Sequence, residues 1–242
     1  MNKKTADLKR RMLGLGIEDR LRILKNSYRG EECYIIACGP SLASIQKDKL
    51  REVLQDKLVV SVKQAYNILP DQTDFHVFNY IHLDSYKYST KPITLELTRF
   101  GKVLSGSPDL PVPINVNTAG RYEYSVVATK KFDEAMFERR IMRPFGPGIV
   151  YEVCFFLAVH LGCSGVTTIG FDCAKLKSHF YGPDEVVDEK KQKILDKEMS
   201  DVVGGMIHFS EWLDSKSCPL KIISDINPAP NSIKRMRFEE IL

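Results

Sequence analysis

Short apolar runs alternate with helix-sized polar segments along most of this chain, and that alternation constrains the fold more than any other feature. Strand-like runs occupy 33–38, 58–62 and 74–79, and two more follow later, Val166-Thr-Thr-Ile-Gly-Phe-Asp172 and Leu220–Ile226. Helix-sized connections between such runs predict an α/β fold, a largely parallel sheet with helices on both faces. Ligands of such sheets sit at the carboxyl ends of the strands. Those ends read Gly39-Pro40-Ser41, Lys63-Gln64, Asn79-Tyr80 and Asp172, all polar or compatible with phosphate.

The sharpest corner is Cys33-Tyr-Ile-Ile-Ala-Cys-Gly-Pro-Ser-Leu42, followed by a helix-like segment from Ala43 to Leu54. Gly39 lets backbone approach a ligand without a Cβ, Pro40 suits the first turn of a helix, and Ser41 can cap its N–H groups. A corner of this kind attracts anions, phosphate above all. It also reads as an ordinary strand-to-helix turn.

At 242 residues and 43% hydrophobic content, the chain can bury the core of one large domain. The six cysteines include no CxxC pair, which fits a reducing cytoplasm. The apolar stretch Val150–Leu161 is short and contains Glu152, so no membrane span is expected, and the charged N-terminus lacks a signal-peptide core. The formal charge of +4 is mild, with basic residues gathered at Lys3–Lys25 and again at Lys234, Arg235 and Arg237. These ends suit a solvated face or an anionic partner such as a phosphorylated glycan or a lipid headgroup. Nucleic acid is not an expected partner.

Along the chain, residues 5–26 read as an amphipathic helix or a helix pair broken near Gly14–Gly16. Residues 82–128, rich in proline and glycine, read as an irregular insertion or lid. Helical spacing returns over 129–142, 148–162 and 184–215, the last with a kink expected at Gly204-Gly205, and a final turn precedes a short helix at the C-terminus. The expected organisation is an N-terminal helical segment (1–30), a single Rossmann-like domain (31–235) with lid 82–128 and loop 173–190, and a tail (236–242). GxxxxGK[ST] is absent and no GxGxxG follows the first strand, which disfavours a Walker-type kinase and an ordinary dinucleotide dehydrogenase. The histidines are scattered and no DxD stands at a strand end, so no metal site is expected; His160 and His76 read as core residues.

Ala37-Cys-Gly-Pro-Ser-Leu42, Val59–Tyr66, Asp74–Asn79, Gly148–Asp172 and Pro230-Asn231-Ser232-Ile233 resemble the ordered landmarks of the bacterial family 42 sialyltransferases. The wider Gly-Pro-Ser-Leu group, with motility-accessory glycosyltransferases and pterin pyrophosphokinase-like proteins, shares part of this pattern. The resemblance implies metal-independent, inverting transfer of an acidic sugar (sialic, nonulosonic or Kdo-type) from a CMP-activated donor, with no cofactor. It implies nucleotide contacts at Gly39, Pro40, Ser41, Lys63, Gln64, Asn79, Gly148, Gly170 and Asp172. Tyr181, with His179 beside it, falls where the family stabilises the leaving phosphate.

Three departures stand out. Cys38 replaces the family's asparagine, Lys63 the asparagine of its Asn-Gln pair, and Phe132-Asp133-Glu134 stands where the family carries its histidine base. Asp133 or His179 is then the candidate base, and Asp133 also reads as a solvated helix residue. Arg143, in a longer insertion, suits a donor carboxylate or a turn cap. The expected acceptor is a glycan or lipid-linked glycan, reached by a cytoplasmic protein peripheral to the inner membrane face through its basic termini, in a homo-oligomeric state if the family's habit holds. Two other classes stay open, an ATP- and Mg²⁺-dependent pterin-type diphosphotransferase and a noncatalytic nucleotide-sugar-binding protein of the same fold.

Overall fold

The computed structural model describes residues 1–79, 92–98, 112–117, 132–136, 153–173 and 189–241. Eight parallel strands form one sheet: β1 (Glu32–Ile36), β2 (Leu58–Val62), β3 (Phe75–Asn79), β4 (Ile93–Thr98), β5 (Val112–Asn117), β6 (Gly165–Ile169), β7 (Leu220–Ile223) and β8 (Lys234–Met236), in the order β5-β4-β3-β2-β1-β6-β7-β8. The chain builds outward from β1 to β5, then returns to add β6 on the other side of β1. That reversal makes the β1/β6 boundary the topological switch point of a Rossmann-like α/β fold. The expected α/β class with a parallel sheet is what the structure has.

One face of the sheet carries the larger core. Helices α1 (Lys3–Met12), α2 (Ile17–Leu24), α4 (Phe155–Leu161) and α5 (Glu189–Ser215) pack there through Leu8, Met12, Leu21, Leu24, Phe156, Phe209 and Trp212. The other face is covered by a 3₁₀ turn at Pro40–Ser44, α3 (Lys47–Val53) and a 3₁₀ turn at Phe238–Ile241, around Leu42, Leu50 and Leu54. Strands β1, β2 and β6 are buried along nearly their whole length, as expected of central strands of a parallel sheet covered on both faces.

The N-terminal helices belong to this core. Asn2 caps α1 by accepting from the Thr5 N–H (2.8 Å). Fully buried Asp74 accepts from the Asn2 and Val59 N–H groups (2.8 and 3.1 Å) and from the Thr5 hydroxyl (2.5 Å), while that hydroxyl also meets Tyr28 Oη at 2.5 Å. Burial pushes the Asp74 carboxyl above its usual range, against the pull of those hydrogen bonds. The segment 1–30 is therefore an integral layer of the domain, not an appendage.

Three sequence expectations need correction. Part of the 82–128 "lid" is sheet: Ile93–Thr98 and Val112–Asn117 are parallel strands in register, Ile93 opposite Val112. Pro113 is tolerated because β5 lies at the sheet edge. The helix expected from Ala43 begins only at Lys47, after the 3₁₀ turn. The sheet extends past 235, β8 reaching Met236, and Phe238 and Ile241 pack on the core in the stretch read as a tail.

Candidate functional site

Six adjacent strands present their carboxyl ends along one edge of the sheet, and the residues following them are Asn79, Lys63, Gly39 to Ser41, Gly170 to Asp172, Ser224 and Arg237. Asp172 is the hub. Its Oδ2 accepts from the Ser41 N–H (2.7 Å), and its Oδ1 accepts from the hydroxyls of Ser41 (2.5 Å) and Ser224 (2.6 Å). At 3% exposure the carboxylate is buried, so this one side chain ties the ends of β1, β6 and β7 together.

That knot explains both glycines at the switch point. A Cβ on Gly39 would lie 2.4 Å from Asp172 Oδ2 and 2.5 Å from the Gly170 carbonyl, and the Gly39 N–H donates to that same carbonyl at 2.7 Å. Gly170 has φ +71° and a virtual Cβ 2.8 Å from the Ala37 carbonyl. Sequence reasoning assigned Gly39 to the close approach of a ligand; what comes close is the protein's own carboxylate. The anion that the corner attracts is thus internal, and a phosphate directly on the Ser41 N–H would displace Asp172.

The second strand end is capped in a parallel way. A 3₁₀ turn at Lys63–Asn67 follows β2, and the buried Cys38 thiol faces the Gln64 and Ala65 N–H groups while donating to the Val62 carbonyl (3.1 Å). Burial pushes this thiol up to about 11, so it stays protonated. Cys38 therefore serves as a small internal cap at this strand end.

Lys63 stands at φ +46°, a left-handed conformation that costs a non-glycine residue about 1 kcal/mol. Its carbonyl accepts from His76 Nε2 at 2.8 Å, which fixes that ring's tautomer. His76 is fully buried between Tyr66 and Phe78, each ring centroid 4.7 Å away, and burial lowers its pKa to about 3. Beside Lys63, the Gln64 Oε1 is buried with no hydrogen-bond partner. A buried orphan acceptor costs about 1–3 kcal/mol, and among the described residues Ser27 Oγ and Gln72 Oε1 share this state away from the switch point.

On the other flank a cleft of about 240 Å³ opens between the 40–46 turn and β7/β8, lined among others by Ser44, Lys49, Asp225 and Arg237. Ser224, Lys49 and Arg237 were not singled out from the sequence as site residues. The Ser-Asp225 step after a strand carries no recognisable motif, and Ser224 reaches Asp172 across 52 positions.

Asp133 lies elsewhere. Its Oδ1 accepts from Trp212 Nε1 (3.0 Å) and pairs with Lys216 Nζ (2.7 Å), at the end of α5 just before β7 begins. The four residues of β7, about 13 Å of strand, separate that end of the sheet from the carboxyl edge. The buried rings of Phe155, Phe209 and Phe132 stand in series between Phe171 and Asp133, with centroid steps of 6.3, 5.8 and 4.6 Å. The expectation of Asp133 as base at the Gly39 corner is corrected on this ground: a structural ion pair holds it on the far side of an aromatic core.

Asn79 ends β3 at the expected edge, its side chain outside the described part of the structure, and Gly148, Arg143, His179 and Tyr181 also lie outside the described residues. His160 is a core residue as read, buried and bonded through Nε2 to the Leu21 carbonyl (2.8 Å). All six cysteines are thiols. No helix among the described residues is long and apolar enough to cross a membrane.

Fold and site together define a Rossmann-like α/β protein whose strand ends converge on a buried carboxylate at the switch point. Neither the protein-family models nor the curated proteins with which the chain was compared gave a match.

Proposed function

We propose that the chain is a nucleotide-dependent glycosyltransferase that takes a CMP-activated acidic sugar at the carboxyl edge of the sheet and passes the sugar, with inversion and without a metal, to a glycan acceptor. The observation that carries this reading is the buried, unpartnered Gln64 Oε1 beside Lys63, one strand from the switch point. An amine or hydroxyl of the nucleotide satisfies that acceptor, and the Lys63 ammonium stands near enough in sequence to meet the single phosphate of CMP. The capped corner at Ser41 argues for contacts by shape and hydroxyl groups there, with the phosphate held by Lys63 on one flank or by Lys49 and Arg237 on the other.

In this reading Asp172 is a positioning residue, holding the β1, β6 and β7 ends so that the nucleotide meets a fixed surface. Tyr181 donates to the leaving phosphate, and His179 takes the acceptor proton that Asp133 is too remote to receive. Arg143 meets the donor carboxylate.

Thermal melting tests the donor class. CMP is expected to raise Tm in a saturable manner, with UDP and ATP–Mg²⁺ inert. Stabilisation by ATP–Mg²⁺ with none by CMP would instead favour the diphosphotransferase reading.

A further inference from the structure

Residues 1–30 hold nine Lys or Arg against three acids, while the whole chain has a net charge of +4, so everything after residue 30 is net −2. The chain's net positive excess therefore lies in its first thirty residues, which hold the α1–α2 hairpin. The structure adds what the sequence could not: an exposed apolar tip. Among the described residues the exposed large hydrophobics are Leu13 (38%), Leu15 (36%), Ile207 and Ile226, and the first two share the turn Leu13-Gly14-Leu15-Gly16, every residue of which is exposed.

The hairpin is fastened at its other end. Asn2 is held by Asp74, and the backbone N–H groups of Asn26 and Tyr28 donate to the His160 and Leu161 carbonyls (2.9 and 2.8 Å). Between the helices runs a groove of about 660 Å³ lined by Lys4, Arg11, Arg22 and Lys25 with Asp7 and Leu8. The ion pairs Arg10–Asp7 and Arg22–Asp19 are exposed and cost little to open. Leucines at the turn, with Arg10, Arg11 and Arg22 on the flanking helices, match the layered chemistry of an anionic bilayer, in which acyl chains accept the leucines and lipid phosphates meet the cations. A nucleic acid would use the charge and leave the leucines in water.

We infer that the α1–α2 hairpin is a membrane-docking element: Leu13 and Leu15 insert into an anionic lipid surface while Arg10, Arg11 and Arg22 contact its phosphates. The inference is independent of the donor sugar. It replaces the two basic termini, expected from sequence as the contact, with one surface in which charge and apolar exposure coincide.

Flotation of the full chain with vesicles tests it. Binding is expected to equal parts of phosphatidylcholine and phosphatidylglycerol, weaker in high salt, and absent with phosphatidylcholine alone. The Leu13→Ser/Leu15→Ser variant, altered only at exposed positions and so expected to melt like wild type, is expected to lose about tenfold or more in partitioning. Arg11→Gln/Arg22→Gln is expected to lose about tenfold or more as well. Ile207→Ser, exposed on α5, is the control and should bind as wild type. The inference is overturned if the leucine variant binds undiminished, if wild type binds both vesicle types alike, or if duplex DNA is bound and vesicles are not.

Discussion

Asp172 accepts both the backbone N–H and the hydroxyl of Ser41, at 2.7 and 2.5 Å, and so occupies from within the position where a strand-to-turn corner would hold a bound anion. The same carboxylate accepts Ser224, which makes it the joint between three strand ends. Its buried position makes the Gly-Pro-Ser corner a structural clasp that shapes the edge beside it.

The clasp makes Gly39 intolerant. Gly39→Ala forces a methyl group against Asp172 and the Gly170 carbonyl and is expected to destabilise by about 1–3 kcal/mol. Asp172→Asn puts an amide donor among three donors and is expected to cost a similar amount, about 1–3 kcal/mol. Urea unfolding measures both, and neutrality of either variant would contradict the clasp.

Gln64 should behave in the opposite sense. Gln64→Met removes the orphan acceptor at nearly constant volume, so the protein is expected to gain up to about 1 kcal/mol in stability while losing affinity for CMP. Paired denaturation and calorimetric titration read the trade directly. A variant that is less stable and binds CMP as well as wild type would show Gln64 to be purely structural.

Asp133 separates structure from chemistry. Asp133→Asn keeps an acceptor for Trp212 and loses only a partly exposed ion pair, so its stability is expected to fall by no more than about 1 kcal/mol, with sugar transfer unchanged. His179→Ala is expected to abolish transfer. Single-turnover release of CMP from the donor distinguishes them.

His76 sets an acid limit. Its folded pKa of about 3 lies below the ordinary 6.5, so between those values the unfolded chain binds the extra proton. Its share of stability is intact above pH 6.5 and falls by about 1.4 kcal/mol per pH unit as pH drops below that. His76→Gln is expected to flatten the pH dependence of unfolding between about pH 6 and 4, measured by urea midpoint.

Strands β1, β2, β3, β6 and β7 were legible because a strand buried on both faces is written as a short run dominated by apolar and β-branched residues. Strands β4 and β5 were not: Ile93-Thr-Leu-Glu-Leu-Thr98 and Val112-Pro-Ile-Asn-Val-Asn117 alternate in the manner of outer strands, and the surrounding prolines and glycines read as a loop. Strand β8, only Lys-Arg-Met, has no apolar signal at all. At the site, the sequence located the strand ends but not their wiring. The Asp172–Ser41 contact spans 131 positions and no local pattern announces it, while Asp133 was placed by its order in the chain, which says nothing of the aromatic layer in between.

Hydrogen–deuterium exchange with and without saturating CMP tests the central claim, that the nucleotide binds across the carboxyl edge at the β1/β6 switch point. Added protection is expected in peptides covering 38–46, 63–67 and 170–173, and none over 132–136. Protection confined to other segments, or no change at CMP concentrations that raise Tm, would contradict it.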